Sequence, residues 1–204
     1  MFYFLVVVLA ASLIGWLASF YVSRTNSIPS SGGEYIEGII GQPQHINAVI
    51  AASNNVDDDL SQIVYSSLLK YDGQGNLTPD LAESYEISDD KTLYTFHLKQ
   101  NVAWHDGQPL TAGDVLFTVN LITDPAFKSP LRANWQGIEA SYIDDYTLSF
   151  SVKSPYVGLL NNLTFGIIPK HIWESVAADK FSLTDLNLQP IGSGPYKFSS
   201  LQKD

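Results

Sequence analysis

The sequence contains no cysteine. That absence removes disulfides, thiolate metal sites, cysteine nucleophiles and lipid attachment to an N-terminal cysteine. Basic residues are scarce: 11 Lys and Arg stand against 21 Asp and Glu, for a formal net charge of −10 and a pI near 4.6. Such a chain has little with which to neutralise nucleic-acid phosphates. The four histidines, His45, His97, His105 and His171, are scattered with no His-x-x-x-His pair, which argues against a zinc site. No serine sits in Gly-x-Ser-x-Gly. The nearest match, Gly192-Ser193-Gly194, runs straight into Pro195-Tyr196, where a nucleophile elbow needs a helix. The same stretch lacks the Gly-Lys-Ser/Thr of a phosphate loop. Asp57-Asp58-Asp59 lacks the alternating acids, the glycine and the closing glutamate of a calcium loop, and starts a helix instead. Carboxylates are plentiful, yet none lies in an apolar setting that would raise its pKa, so no glycosidase-like pair stands out. Internal repeats and low-complexity tracts are also missing.

What is present is core material and one long apolar run. Hydrophobic residues make up 45% and aromatics 12%, which excludes global disorder. Residues 2–22 carry no charge. At 1.5 Å per residue they make about 30 Å of helix, enough to cross a bilayer. Trp16, Phe20 and Tyr21 suit an interface belt. Residues 1–23 are therefore expected to be a transmembrane anchor or a signal segment. A retained anchor is preferred, because a signal h-region is usually only about 7–15 residues long. Arg24 alone gives little guidance on orientation. Residues 24–33, rich in Ser, Gly and Asn, form a flexible linker.

Periodicity then predicts a mixed set of elements. Glu34–Ile40 is a short strand broken by Gly41-Gln42-Pro43. Asp57–Lys70 is an amphipathic helix, with Leu60, Ile63, Val64, Leu68 and Tyr71 recurring at three-to-four spacing. Asp72–Asn76 is a turn. Leu93–Lys99 is a half-buried strand with Tyr94, Phe96 and Leu98 inward. His105-Asp106-Gly107 is a turn, in which an imidazole could meet a carboxylate. Thr111 caps a second helix, Asp114 occupies the capping-box position, and Val115, Leu116, Val119 and Ile122 form the apolar face. Ile138–Val152 is a hairpin turning at Asp144-Asp145. Pro169 opens a third helix running through Trp173 to Val176. Pro190–Phe198 is a glycine-proline turn followed by a strand. Short strands mixed with helices give an α/β or α+β class.

Several blocks resemble the extracellular solute-binding proteins of family 5, the dipeptide, oligopeptide and nickel-binding receptors of ABC importers. They are Leu81-Ala82-Glu83-Ser84-Tyr85, Tyr94–Lys99, Val102-Ala103-Trp104-His105-Asp106-Gly107 and Pro109–Val115. Ile168-Pro169-Lys170-His171 and Ile191–Tyr196 follow in the same order. The resemblance runs from about Gly33 to Phe198. It implies a type II periplasmic-binding-protein-like α/β fold (mixed α+β): an N-terminal lobe with an inserted subdomain, preceded by a transmembrane helix. Residues 34–204 would be the N-terminal part of the solute-binding domain, with about 45–185 as the inserted subdomain. Glu34–Ile40 and Pro190–Phe198 would share one lobe's sheet. Family members are several hundred residues long, so a second lobe and its half of the cleft are expected outside these 204 residues.

The resemblance also implies a function: an extracytoplasmic receptor that captures oligopeptides for import and is not an enzyme. Its partners would be the peptide, the ABC permease subunits and the membrane, reached through the N-terminal helix. No cofactor, metal or nucleic acid is implied. The alternatives are a nickel, chelate or oligosaccharide-binding protein of the same family or, from another class, an extracytoplasmic hydrolase. The ligand-facing stretches carried over are Ala52-Ser53-Asn54 and the segment after Ser129-Pro130, with Leu131, Arg132 and Trp135. Arg132 could pair with a carboxylate and Trp135 could form an apolar wall. The competing reading is that Trp135 packs in the subdomain and Arg132 is a solvated charge.

Overall fold

In the computed structural model of the chain, the described residues are 12, 15, 16, 36–51, 54–156 and 158–202. The chain divides into two units, Met1–Gly38 and Ile39–Asp204. Of the apolar run, Ser12, Gly15 and Trp16 are helical. The rest of residues 1–23, and the linker 24–33, lie outside the described residues. Among the described residues no helix is long and apolar enough to cross a membrane.

In the second unit, helix α1 (Asn55–Val64) begins where the Asn54 side chain accepts from the Val56 N–H at 3.1 Å. Asp57 and Asp58 sit in its first turn, where the helix dipole favours acids. The helix stops six residues short of the expected Lys70, because Tyr65 is extended at φ −110°, ψ 138°. Long-range pairing decides this. Ser66 O accepts from Ile167 N–H at 2.9 Å, Ser67 O from Leu81 N–H at 2.8 Å, and Leu69 N–H reaches Leu163 O at 3.1 Å. Leu68 and Leu69 are thereby buried as extended chain.

Strands β1 (Leu69–Tyr71) and β2 (Leu77–Pro79) form a small antiparallel hairpin. Its turn is fastened by Asp72, whose Oδ1 accepts from Asn76 N–H at 2.9 Å and Gln74 N–H at 2.8 Å. The backbone and side-chain bonds from Asn76, then that from Gln74, hold this carboxyl below the usual range. Strands β3 (Ala82–Ile87), β4 (Leu93–Leu98), β5 (Ile138–Asp144) and β6 (Thr147–Val152) make an antiparallel sheet in the order β3-β4-β6-β5. The predicted alternation holds in β4, where Tyr94, Phe96 and Leu98 are buried; in β6 Leu148 and Phe150 are buried together with Ser149 between them. Phe96 meets Phe150 edge-on at 5.7 Å.

Helix α2 (Ala112–Thr123) buries Val115, Val119 and Ile122 and lies near β5 and β6. Asp114 does more than cap it. One oxygen accepts from Thr111 N–H and the other from Lys170 N–H, both at 2.9 Å, so it ties the start of α2 to Lys170. Asp114→Ala would leave two part-buried N–H groups without partners, at a cost of about 1–3 kcal/mol. Asp114→Asn keeps one acceptor and should recover part of that loss. Chemical denaturation of the two variants checks this; equal stability of Asp114→Ala and the natural protein would contradict it.

Two short helices follow, α3 (Leu159–Asn162) and α4 (Lys170–Trp173). The last is one turn long, and Pro169 precedes it as the cap rather than forming its first residue. Neither of the two strands expected at the ends of the domain is seen among the described residues. Residues 36–40 pair with nothing in a ladder, and Ile36 and Ile40 are 83% and 101% exposed. In 190–198, the Gly194 and Tyr196 N–H groups donate to Val64 O and Ile63 O at 2.8 and 3.1 Å. They satisfy carbonyls left open at the end of α1, so those donors are not free for a sheet. The fold is α+β, with an antiparallel sheet packed against helices.

Candidate ligand groove

A groove of about 630 Å³ opens on this domain. Helix α1 supplies one wall. Asp58, Ser61, Gln62 and Tyr65 line it at i, i+3, i+4 and i+7, the spacing of one helix face. The chain after α1 adds Ser66, Ser67, Lys70 and Tyr71, and Asp80 stands beyond β2. The facing side comes from the 3-10 segment Pro130–Trp135, through Leu131, Asn134 and Trp135, and from the 161–166 loop.

Hydrogen bonds and packing preset this geometry. Ser129 Oγ donates to Val49 O at 2.6 Å and accepts from Leu131 N–H at 3.3 Å, which pins the start of the 3-10 segment. Trp135 is 3% exposed. It meets Phe165 edge-on at 5.3 Å and Phe150 at 5.8 Å, so the wall of the groove is continuous with the core of the sheet. Tyr65 donates its hydroxyl to Ile46 O at 3.1 Å, and burial raises its pKa far above the ordinary value, which keeps it neutral. A Cβ on Gly166 would lie 2.7 Å from Tyr65 Cβ and 2.9 Å from Ala48 Cβ, so the close approach of this loop requires glycine. Tyr71 donates to Asn161 Oδ1 at 3.1 Å, and Asn162 Nδ2 to Asn134 O at 2.6 Å. Lys70 and Asp80 form an ion pair at 2.9 Å, while the second Asp80 oxygen accepts from Ser67 N–H.

Of the residues expected from sequence to face a ligand, Leu131 and Trp135 line the groove. Trp135 is both wall and core. Arg132 is exposed and donates from Nε to Thr123 O at 3.0 Å, at the end of α2; it does not line the groove. Asn54 is the cap of α1. Ala52 and Ser53 lie outside the described residues. The α1 face, the Lys70–Asp80 pair and the 161–166 loop were not anticipated. Only the first had a readable cue, in the spacing of Asp58, Ser61, Gln62 and Tyr65.

The expected meeting of an imidazole and a carboxylate near Asp106 does occur, but with a different histidine. His171 Nε2 lies 2.8 Å from Asp106 Oδ2, and its ring faces Trp104 at 6.4 Å. His105 Nε2 instead contacts Gly194 O at 2.9 Å. Burial pushes the Asp106 pKa up, but the bonds from His171 and Gln108 and the His171 charge outweigh it and leave a net lowering. Such a carboxyl stabilises the fold above its unfolded pKa of about 3.9. That contribution fades as pH falls through the lower folded value. The melting-temperature gap between the natural protein and Asp106→Asn should therefore shrink below about pH 4; an equal gap at pH 7 and pH 3 would contradict this. Among the described residues, no group of three or more His, Cys, Asp or Glu side chains is placed to hold a metal ion.

Comparison with known proteins places this geometry in a family. Residues 76–204 match the bacterial extracellular solute-binding proteins, family 5 Middle, and the chain belongs to that family. The oligopeptide-binding protein AppA of Bacillus subtilis (strain 168) is 32% identical over 174 residues, which cover 83% of this chain and 32% of that protein. The solved structure of AppA in complex with a nonapeptide is similar with a TM-score of 0.75 at 30% identity, over 81% of this chain and 33% of AppA. NikZ from Campylobacter jejuni, in complex with Ni(L-His), is similar with a TM-score of 0.72 at 30% identity, over 80% of this chain and 32% of NikZ. The chain thus spans about a third of the length of these relatives. The family is one of solute-binding proteins.

Proposed function

We propose that the chain is the N-terminal part of an extracytoplasmic receptor that captures oligopeptides and delivers them to an ABC permease. The observation that carries this reading is the groove itself. It is walled by Trp135, Tyr65, Tyr71 and Phe165 and rimmed by amide and hydroxyl groups, a lining suited to an extended peptide whose main chain needs hydrogen-bond partners. The oligopeptide and nonapeptide named with AppA support the same class of ligand. In this reading Leu131 and Trp135 touch the ligand. Asn54 and Arg132 hold the flanking helix ends. The remaining lobe of a two-lobed protein would close over the groove. Residues 1–23 would tether the receptor to the outer face of the membrane.

Calorimetry of the full-length protein with a mixture of defined pentapeptides tests the reading. Saturable binding with the peptides recovered intact is the expected result. Absence of binding, or released fragments, would overturn it, the second outcome in favour of a hydrolase. A nickel chelate is the second reading, favoured by the similarity to NikZ. Nickel chloride with L-histidine, titrated into the same protein, separates the two. For the tether, cell fractionation should find the protein with membranes; a secreted form beginning near Ser19 or Ser23 would contradict a retained anchor.

A further inference from the structure

We infer that the groove selects peptides carrying a cationic group, an ammonium or guanidinium, and that Asp58 is the residue that receives it. This rests on the reading of the groove as the peptide site.

The inference comes from how the charges lining the groove are already committed. They are Asp58, Asp80 and Lys70, so the lining carries two acids and one base. Lys70 and Asp80 cancel each other at 2.9 Å, and the second Asp80 oxygen is taken by Ser67 N–H. Arg132, the cation expected to answer an acidic ligand, is turned to Thr123 O instead. Asp58 is left with one hydrogen bond, from Gln62 Nε2 at 3.0 Å, and with no cation beside it among the described residues. A half-buried carboxylate at the edge of a groove, with its own charge unanswered, attracts a cation more strongly than one in open water.

Two further features favour the same ligand. Ser61, one turn along from Asp58, is 4% exposed and lines the groove, and its Oγ has no hydrogen-bond partner. Turned to another rotamer, its hydroxyl would reach the groove and could accept a bond from an N–H of the ligand. Tyr71, which lines the groove and is 52% exposed, offers a ring against which an alkyl stem or a guanidinium plane can lie. An acidic ligand would instead meet Asp58 with like charge and find Lys70 already taken.

The test is calorimetry on the full-length protein with four pentapeptides: Ala-Ala-Lys-Ala-Ala, Ala-Ala-Glu-Ala-Ala, Ala-Ala-Ala-Ala-Ala, and the N-acetylated form of the lysine peptide. The lysine peptide is expected to bind about tenfold more tightly than the glutamate peptide, the preference one close charge contact supplies. Asp58→Asn should bring that ratio close to one, and Asp58→Lys should reverse it. If acetylation leaves the lysine preference intact, the side chain is the cation received. If acetylation abolishes binding of the lysine peptide, the amino terminus shared by all the free peptides is the cation that binding requires, and the inference is overturned. Peptides that bind without charge preference, or a preference that persists in Asp58→Asn, overturn it while leaving the peptide-receptor reading standing. Failure of all four peptides to bind overturns both.

Discussion

Trp135→Ala is expected to cost about 3–5 kcal/mol of stability and to open the groove toward the core. The indole is 3% exposed, stands between Phe165 and Phe150, and lines the groove with its remaining surface. Truncation leaves a cavity that the flanking rings can fill only in part, because Phe150 is fixed in the sheet between β4 and β5. For a chain of this size the loss lowers the melting temperature by about 6–20 °C, read at 2–4 °C per kcal/mol. Trp135→Phe keeps much of the packing and should lose less than half as much. Thermal denaturation followed by circular dichroism measures both. A Trp135→Ala variant that melts with the natural protein would remove Trp135 from the core, and with it the rigid wall on which the groove depends.

Gly192→Ala is the second change with a large expected effect. A Cβ at this position would run into the Val64 carbonyl oxygen, part of the backbone at the end of α1. The same oxygen accepts from Gly194 N–H at 2.8 Å, and Gly192 O accepts from His105 N–H at 2.8 Å. The turn is therefore clamped between α1 and the Trp104–Gln108 turn and has no direction in which to yield. The cost should be about 3 kcal/mol or more, at the upper end for overpacking. Gly73→Ala is the control: an added Cβ there meets nothing within 4 Å, and the change should stay within about 0.5 kcal/mol. Equal melting temperatures for the two variants would mean that the close approach of 192–194 to α1 does not exist in solution. Because α1 supplies the Asp58 face, weakening this clamp should also loosen the groove.

The parts of the fold that were legible in the sequence are those decided locally. Tyr94, Phe96 and Leu98 alternate with polar neighbours, and β4 forms there. Thr111 and Asp114 sit three apart ahead of an apolar face, and α2 begins there. The errors fall where a distant segment decides. Leu68 and Tyr71 continue the helical spacing of α1, but hydrogen bonds to Leu163 and Ile167, about a hundred residues away, hold that stretch extended. The strand expected after the Gly192–Pro195 turn does not form, because the Gly194 and Tyr196 donors are taken by the Val64 and Ile63 carbonyls.

The lining of the candidate groove was legible only in part. Leu131 and Trp135 came from the family resemblance and do line the groove. Asp58 was hidden inside Asp57-Asp58-Asp59, where a helix start accounts for all three acids and gives no reason to single out one. Its distinction lies in direction: Asp57 turns inward to accept from Gln44 N–H at 2.7 Å, while Asp58 faces the groove. Arg132 carries a charge that suits a ligand, and only the position of the Thr123 carbonyl reveals that it serves a helix end.

Photo-crosslinking tests the central claim, that this groove is where a peptide binds, most directly. A pentapeptide with a central benzoylphenylalanine, irradiated with the full-length protein and mapped by mass spectrometry, is predicted to label this part of the protein within 58–71, 131–135 and 161–166. Excess unlabelled peptide should compete the labelling away. Competable labels confined to the outer strands, such as 83–87 or 139–143, with the groove segments unmarked, would contradict the account.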